Sequence, residues 1–94
     1  MRYPKIEWDE DEAAINRARH GVDFLEAMEA LLDPLAATVE DRRHSIPLER
    51  RVTVVGLSRQ GRLLRVTVTQ RRTMVRIISA RRATARERHA YEEA

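Results

Sequence analysis

The sequence predicts an α+β fold, in which helices pack on an antiparallel β-sheet. Two segments in the first 34 residues carry helix-start signals, and from Arg50 onward three β-branched runs are separated by short turns. A helix-start signal returns in the last eleven residues. We therefore expect a three-stranded C-terminal meander, shorter N-terminal strands, two N-terminal helices and a C-terminal helix. Because 94 residues can close one core of modest depth, we expect a single domain over residues 1–94.

The chain begins with signals for a short strand and a first helix. Residues 3–8, YPKIEW, alternate well enough for a strand. Asp9 and Glu12 have capping-box spacing, which predicts a helix that begins at Glu10. Gly21 is placed to take the left-handed conformation that ends the helix. We expect this helix to bury a narrow apolar stripe formed by Ala14, Ile15 and Ala18.

A second helix is predicted directly after the first. Asp23 and Glu26 repeat the capping-box spacing, and the apolar residues that follow recur at helical intervals. The residues expected to be buried are Phe24, Ala27, Met28, Leu31 and Leu32. Pro34 ends the helix, because the residue before a proline is pushed out of the α region. Residues 35–39 then indicate a strand and residues 40–49 a polar loop.

Three consecutive antiparallel strands are predicted over residues 51–58, 62–70 and 73–80. Alternation in the middle strand places Leu64, Val66 and Val68 on one face and Arg65, Thr67 and Thr69 on the other. In the last strand we expect Val75, Ile77 and Ser79 to oppose Met74, Arg76, Ile78 and Ala80. One face of the sheet is therefore apolar and suited to cover by helices, and the other is mixed and available to a polar partner.

The C-terminal helix is predicted to begin after Thr84, with Glu87 as its capping-box partner. Its candidates for burial are limited to Ala83, Ala90, Tyr91 and Ala94. Burial of one tyrosine and a few alanines supplies about 2 to 3 kcal/mol by area, which is little for anchoring three helical turns. The arginines of this segment, rather than its apolar residues, therefore indicate its role.

The charges divide the chain into an acidic part and a basic part. Residues 1–41 contain eleven acids and four bases, a net charge of −7, whereas residues 42–94 contain fourteen arginines and four acids, a net charge of +10. This asymmetry predicts a polyanion as the partner of the basic part. Seventeen of the eighteen basic residues are arginine, which favours forked contacts with phosphate or carboxylate. A general bias in codon usage would give the same ratio.

Other function classes are excluded by what the sequence lacks. It contains no cysteine, which excludes disulfides, thiolate zinc sites and a thiol nucleophile. No apolar run approaches the roughly 20 residues of a membrane span, and the N-terminus lacks the apolar core of a secretory signal. We expect a cytoplasmic protein without membrane contact. A zinc site formed by His20, His44 and His89 would require three distant elements to converge, so no metal site is expected.

Segments along nearly the whole chain resemble one family of bacterial toxins. Residues 7–27, EWDEDEAAINRARHGVDFLEA, combine a Trp-Asp strand end, an asparagine in the first helix, a basic-His-Gly-Val turn and a Phe-x-Glu-Ala helix start. The segments LLDP at 31–34, ERRVTVVGLSRQGRLLRVTVTQR at 49–71 and RIISARRATARERHAYEE at 76–93 follow in order. In this order and spacing the chain is similar to the BrnT-type toxins of type II toxin–antitoxin pairs.

The resemblance implies a fold similar to RelE and an activity as a ribonuclease that cuts cellular RNA and arrests growth, with no cofactor. It also implies a cognate BrnA-like antitoxin that binds the toxin and carries the DNA-binding part, so that operator DNA is reached only through the complex. One position departs from the family, because the lysine usual before His-Gly is Arg19 here. Arginine does not lose its proton in proteins, so proton transfer is excluded at this position and phosphate binding is retained.

Four residues are candidates for catalysis. Metal-independent RNA cleavage requires a proton acceptor, cations around the phosphate and a proton donor. We expect Arg62, Arg76 and Arg81 to stabilise the phosphate, because they lie on or beside the last two predicted strands. His20 is the candidate for proton transfer at neutral pH. Alternatively, His20 caps the first helix by binding its exposed carbonyls.

Further residues are candidates for RNA binding, namely Arg19, Arg65, Arg82 and Tyr91. Tyr91 either stacks on a base or packs the last helix down. Glu87 and His89 can act as an acid–base pair only if that helix lines the cleft; otherwise Glu87 serves the capping box. Trp8 is expected in the core. His44 either contacts RNA or the antitoxin, or lies in an ordinary solvated loop.

Two other functions remain open from the sequence. A toxin homologue without catalytic activity can act as an antitoxin-binding co-repressor module, and the arginine at position 19 favours this alternative. Direct DNA binding is less favoured, because no recognition helix follows a turn of the helix-turn-helix type.

Overall fold

The computed structural model describes residues 5–40 and 50–93. Within these ranges the backbone forms five strands and three helices. In chain order they are β1 (Ile6–Glu7), α1 (Glu10–His20), α2 (Phe24–Leu31), β2 (Ala37–Glu40), β3 (Arg50–Leu57), β4 (Leu63–Arg71), β5 (Met74–Arg82) and α3 (Ala85–Glu93). The polar loop was predicted over residues 40–49; Glu40 instead ends β2, and residues 41–49, which include His44, lie outside the described residues.

The five described strands form one sheet in the order β1-β5-β4-β3-β2. β3, β4 and β5 make the predicted antiparallel meander, and β2 is antiparallel to β3. β1 instead runs parallel to β5, with Ile6 opposite Val75 and Glu7 opposite Arg76. The predicted α+β architecture is confirmed, whereas the likeness to RelE and the single domain over residues 1–94 stay predictions.

The main hydrophobic core lies between the sheet and the two helices α1 and α2. The strands contribute the predicted set Leu64, Val66 and Val68, together with Val52, Val54, Val75, Ile77 and Ala80. Trp8 packs against this core as expected, with its ring edge-on to Phe24 at a centroid distance of 6.2 Å. α2 comes so close to β3 that a Cβ atom at Gly56 would lie 2.1 Å from the carbonyl oxygen of Ala30. Only glycine fits this contact.

α1 has the predicted ends but not the predicted buried face. Asp9 accepts a hydrogen bond from the Glu12 N–H at 3.0 Å, and Gly21 ends the helix at φ 69°. The expected stripe of Ala14, Ile15 and Ala18 is wrong, because all three are exposed, with Ile15 at 59%, and the helix buries Ala13 and Asn16.

Asn16 is buried because α1 covers a polar sheet edge. Its Nδ2 donates to the carbonyl oxygens of Ala80 at 2.8 Å and Val22 at 3.0 Å, and its Oδ1 accepts from the Ala80 N–H at 3.0 Å. β1 pairs with only two residues of β5, so the rest of that edge has open backbone groups. The side-chain amide of Asn16 forms hydrogen bonds with the carbonyl and the N–H of Ala80, as the backbone of a paired strand would.

The prediction for α2 is corrected at both ends. Asp23 occupies the N-cap position without a side-chain capping bond, because its carboxylate binds Arg17 at 2.9 Å. Glu26 is buried rather than part of a capping box, and its partner is Arg62. At the C-terminal end, Leu32 is exposed where burial was expected, and Ala30 takes its place in the core.

A β-bulge changes the predicted alternation of β5. Val68 pairs with Ile77 but Thr67 pairs with Ser79, so one residue of β5 is inserted between these pairs. Beyond the bulge the faces exchange, and Ala80 lies in the helix-covered core with Val75 and Ile77. The assignment of Ser79 to the apolar face and Ala80 to the mixed face is therefore wrong.

α3 has the predicted capping box and little burial. The Glu87 N–H donates to Thr84 Oγ1 at 3.2 Å, and the Thr84 N–H donates back to Glu87 Oε1 at 2.9 Å. No residue of α3 between Ala85 and Glu93 is buried. Polar contacts therefore hold this helix, as its lack of large apolar residues suggested. None of the described helices has the length and apolar character needed to cross a bilayer.

Candidate functional site

The sheet face opposite α1 and α2 carries arginine and hydroxyl side chains in adjacent rows. Strand register aligns Arg51, Thr69 and Arg76 in one row, Thr53, Thr67 and Ser79 in the next, and Arg65 and Arg81 in the third. We call these eight residues the arginine face. Rows two residues apart along a strand are separated by about 7 Å. Thr53 and Thr67 are buried, whereas the four guanidinium groups and the hydroxyl groups of Thr69 and Ser79 are partly exposed and provide several donors for the phosphates of a nucleic acid.

The third row is covered by a carboxylate from α3. Glu87 receives two hydrogen bonds from Arg81, at 2.9 and 3.0 Å, and lies 3.0 Å from Arg65 Nε. Burial opposes ionisation of Glu87, but the hydrogen bonds from Arg81 and Thr84 outweigh it and hold the pKa of the carboxyl below its ordinary value. Arg65 and Arg81 are therefore already paired with the Glu87 carboxylate within the fold.

The first row opens into a cavity of about 400 Å³. Its lining includes Arg51, Thr69 and Arg76 from the arginine face and Glu12 from α1. Arg76 faces three carboxylates at longer range, which are Glu7 at 3.7 Å and Asp9 and Glu12 at 3.9 Å. At these distances the carboxylates orient the guanidinium group without closing the direct hydrogen bonds that hold Arg81. Arg76 is thus the more available of the two arginines.

A second cavity of about 250 Å³ adjoins the first along the outer edge of β5. Arg19 and His20, at the end of α1, line it together with Ser79. Glu12 and Ile78 line both cavities, so the two form one continuous surface. The structure therefore brings Arg19 and His20 next to the arginine face.

Arg62 lies apart from these residues, on the helix-covered side of the molecule. Its Nε donates to Glu26 Oε2 at 2.8 Å, its Nη2 binds Glu26 Oε1, and the same nitrogen donates to the Gly21 carbonyl at 3.3 Å. The hydrogen bonds from Arg62 hold the pKa of Glu26 below its ordinary value, against the effect of burial, and Ser58 contributes through its hydroxyl. These contacts give Arg62 a structural task, and its catalytic role stays a prediction.

Arg82 and Tyr91 are not brought to the arginine face either. Arg82 is exposed at the end of β5 and pairs across the sheet with the core residue Leu64. Tyr91 donates from its hydroxyl to Asp33 Oδ2 at 2.6 Å, which raises the pKa of the tyrosine to about 12. Asp33 also accepts the backbone N–H groups of Leu35 and Leu57. Tyr91 therefore ties α3 to the start of the α2–β2 connection, and base stacking by this ring is untested.

Arg51 and Glu12 are candidate site residues that the sequence did not predict. The alternation of β3 carries the signal for Arg51, because it shares a face with Thr53 as Arg65 does with Thr67. Glu12 gave no such signal, since its spacing from Asp9 already had a structural explanation. Among residues 5–40 and 50–93, no group of three or more His, Cys, Asp or Glu side chains is placed to hold a metal ion.

Away from the arginine face, an apolar groove of about 590 Å³ runs between α2 and the end of β3. Leu25, Met28, Leu32 and Leu57 line it, and three of the four are exposed leucines. Exposed apolar clusters of this kind are typical of protein–protein contacts.

Comparison with known proteins identifies a family and a similar solved structure. The family model described as the ribonuclease toxin BrnT of type II toxin–antitoxin systems matches residues 8–87. The crystal structure of the Brucella abortus ribonuclease toxin BrnT matches with a TM-score of 0.63 and 23% identity over 85% of this chain and 96% of that chain. No curated protein matches significantly. The structural likeness shows the shared fold, and the family model covers most of the sequence. The chain belongs to the BrnT family of ribonuclease toxins of type II toxin–antitoxin systems.

Proposed function

We propose that this chain is a cytoplasmic endoribonuclease that cleaves cellular RNA without a metal ion and arrests growth until its cognate antitoxin neutralises it. The observation that carries the proposal is the arginine face and its cavity, in which Arg51 and Arg76 lie beside hydroxyl groups on a rigid sheet. The arginines of this surface come from the basic part of the chain and carry the charge that attracts RNA phosphates. Family membership supplies RNA as the substrate class and a protein antitoxin as the partner.

Arginine is suited to the largest part of the chemistry. During cleavage the phosphate passes through a pentavalent state with increased negative charge on its oxygens. A fixed donor aimed at such developing charge contributes about 3 to 4 kcal/mol, or 10²- to 10³-fold in rate. Arg76 is our first assignment for this role, because its guanidinium group lines the cavity and is only loosely held by carboxylates. Arg81 would act after RNA displaces Glu87 from it.

Arg19 and His20 are assigned to the adjoining cavity. Arg19 keeps a positive charge next to the arginine face and binds phosphate there. His20 lines the smaller cavity, and its imidazole can give a proton to, or take one from, a substrate that extends across both cavities. No metal ion is needed in this proposal, because the arginines supply the positive charge at the phosphate and His20 supplies a group that transfers protons.

The antitoxin is proposed to be BrnA-like and to carry the DNA-binding part of the complex, so that operator DNA is reached only through it. A protein partner is supported by the apolar groove along α2, where exposed leucines lie together. Covering this groove would remove apolar surface from water and contribute to tight binding.

An alternative function is a toxin homologue without activity that serves as a co-repressor module. Two observations favour it, namely the arginine at position 19 and the engagement of Arg62 and Arg81 by carboxylates within the fold. The same experiment separates the two functions.

The test is induced expression of the chain without an antitoxin. We expect growth to stop and cellular RNA to be degraded, and the same RNA should be cut by purified protein in EDTA. Arg76→Ala and Arg81→Ala should restore growth, whereas Arg86→Ala, at an exposed arginine of α3, should remain toxic. Normal growth with intact RNA and folded protein present would favour the co-repressor instead. Cleavage by both site variants at the parent rate would refute the site assignment.

A further inference from the structure

Glu12 occupies the boundary between the two cavities of the candidate site. It lines the cavity that holds Arg51 and Arg76 and also the cavity that holds Arg19 and His20. Its side chain is 45% exposed, and its Oε1 lies 3.9 Å from Arg76 Nε. A substrate phosphate bound by Arg76 would therefore lie beside this carboxylate.

The other carboxylates near arginines are already committed. Glu87 is held by Arg81, Arg65 and the Thr84 N–H. Glu26 is buried and bound by Arg62. Neither Glu26 nor Glu87 lines the two cavities, so neither is placed to take a proton from a substrate bound by Arg76.

The acids that share Arg76 with Glu12 are placed less well. Asp9 uses one carboxylate oxygen to cap α1, where it accepts the Glu12 N–H. Glu7 lies on β1 and does not line either of the two cavities. Glu12 combines exposure, contact with both cavities and a position on the first turn of a capped helix. Such a fixed position is what a general base requires.

We propose that Glu12 is the general base of RNA cleavage and that His20, across the second cavity, is the general acid. The assignment rests on the proposed ribonuclease function and supplies the proton transfers that the arginines cannot perform. The Glu12 carboxylate takes the proton of the ribose 2′-hydroxyl, and the 2′-oxygen forms a bond to the adjacent phosphorus. The bond from phosphorus to the 5′-oxygen then breaks, and that oxygen takes a proton from the His20 imidazolium. The products are a 2′,3′-cyclic phosphate and a free 5′-hydroxyl, and solvent returns both side chains to their starting states.

Arg76 and Glu12 line the same cavity, with 3.9 Å between Arg76 Nε and Glu12 Oε1. The guanidinium group would therefore neutralise the charge of a phosphate that lies beside the Glu12 carboxylate. Arg19 lies beside His20 in the adjoining cavity and offers a second cation for the same or the next phosphate. The polar groups needed for cleavage thus surround one short segment of RNA.

The test compares Glu12→Gln with the parent and with Asp11→Asn, a matched control on the same helical turn that does not line either cavity. Cleavage of a short RNA and its binding are measured for each full-length protein, with circular dichroism as the check on folding. We expect Glu12→Gln to cleave at least about 100-fold more slowly, the lower end of general-base effects, and to bind the RNA within about threefold of the parent. Asp11→Asn should match the parent.

A substrate with an activated leaving group separates the two roles. Uridine 3′-(p-nitrophenyl phosphate) releases a phenolate that needs no acid, so His20→Gln should cleave it close to the parent rate while Glu12→Gln remains slow. Parent-like cleavage of RNA by folded Glu12→Gln would overturn the assignment and leave the ribonuclease function standing. If the parent itself cleaves neither substrate, the proposed function fails and the assignment fails with it.

Discussion

Replacing Arg62 by methionine tests whether this arginine holds the fold or acts in catalysis. The change removes the charge and keeps an apolar stem of similar length. Glu26, whose side chain is only 2% exposed, would then be a buried carboxylate with Ser58 as its remaining side-chain partner. Removing one partner of a buried ion pair costs about 3 to 5 kcal/mol. Because the side chain of Arg62 is itself 28% exposed, we expect a loss of unfolding free energy at the lower end of this range, about 3 kcal/mol.

That loss is large for a domain of this size. A stability change of 1 kcal/mol shifts Tm by about 4 to 8 °C in domains of 60 to 100 residues, so Arg62→Met should unfold about 12 to 24 °C below the parent. The assay is urea and thermal unfolding followed by circular dichroism. Arg59→Met, at an exposed arginine near the same turn, is the control and should change stability by less than about 0.5 kcal/mol. The double variant Glu26→Gln with Arg62→Met should recover most of the loss, because no unpaired charge remains.

The pH dependence of the Arg62→Met effect adds a second test. In the parent, the pKa of Glu26 is lower in the folded state than in the unfolded state. The stability that ionised Glu26 contributes is therefore complete at neutral pH. It is lost as the pH falls through the ordinary carboxyl range and then through the folded-state pKa. The difference in unfolding free energy between the parent and Arg62→Met should therefore become smaller in acid. If the variant unfolds like the parent at neutral pH but no longer cleaves RNA, then the ion-pair argument is wrong and Arg62 is catalytic.

Three further substitutions test the packing and the attachment of α3. Asn16→Ala removes three hydrogen bonds that serve buried backbone groups of β5 and the α1–α2 turn, and should destabilise the fold by about 2 to 4 kcal/mol in urea unfolding. Gly56→Ala places a Cβ atom against the Ala30 carbonyl and should lower the free energy of unfolding by at least about 1 to 3 kcal/mol. Gly61→Ala is its control, because a Cβ atom there meets open space; its positive φ alone should cost about 1 kcal/mol. Tyr91→Phe removes the donor to Asp33 and should speed hydrogen exchange in α3; unchanged exchange there would show that other contacts attach the helix.

Both ends of α1 and the start of α3 could be predicted because they depend on neighbouring residues. Asp9 and Gly21 bound α1, and Thr84 with Glu87 starts α3, through hydrogen bonds that span three or four positions. Side-chain alternation in β4 was likewise enough to place Leu64 in the core and Arg65 on the opposite face. These features require no knowledge of the partner elements.

Features that depend on distant partners could not be predicted. Asn16 is buried because it bonds to Ala80, 64 positions away, and no local pattern distinguishes it from an exposed asparagine. The bulge in β5 follows from its pairing with β4 and exchanges the faces of Ser79 and Ala80. The parallel pairing of β1 with β5 also joins opposite ends of the sequence.

The positive charge of the candidate site could be predicted from the sequence, but the pairing of its charged side chains could not. The concentration of arginines after residue 41 predicted a polyanion partner, and the polar faces of the last strands predicted a surface for it. Which carboxylate meets which arginine could not be deduced, because Glu26 reaches Arg62 and Glu12 reaches Arg76 only in the folded chain. Glu12 therefore emerged as a candidate only when α1 and β5 were seen side by side.

Metal-independent ribonuclease activity is tested most directly by cleavage of a defined RNA by the purified chain in EDTA, with analysis of the new ends. We expect cut products that carry a 2′,3′-cyclic phosphate and a 5′-hydroxyl, formed by the parent and at least about 100-fold more slowly by Arg76→Ala. If folded parent protein does not cleave the RNA, or cleaves it only when a divalent metal is restored, the chain is not a metal-independent ribonuclease.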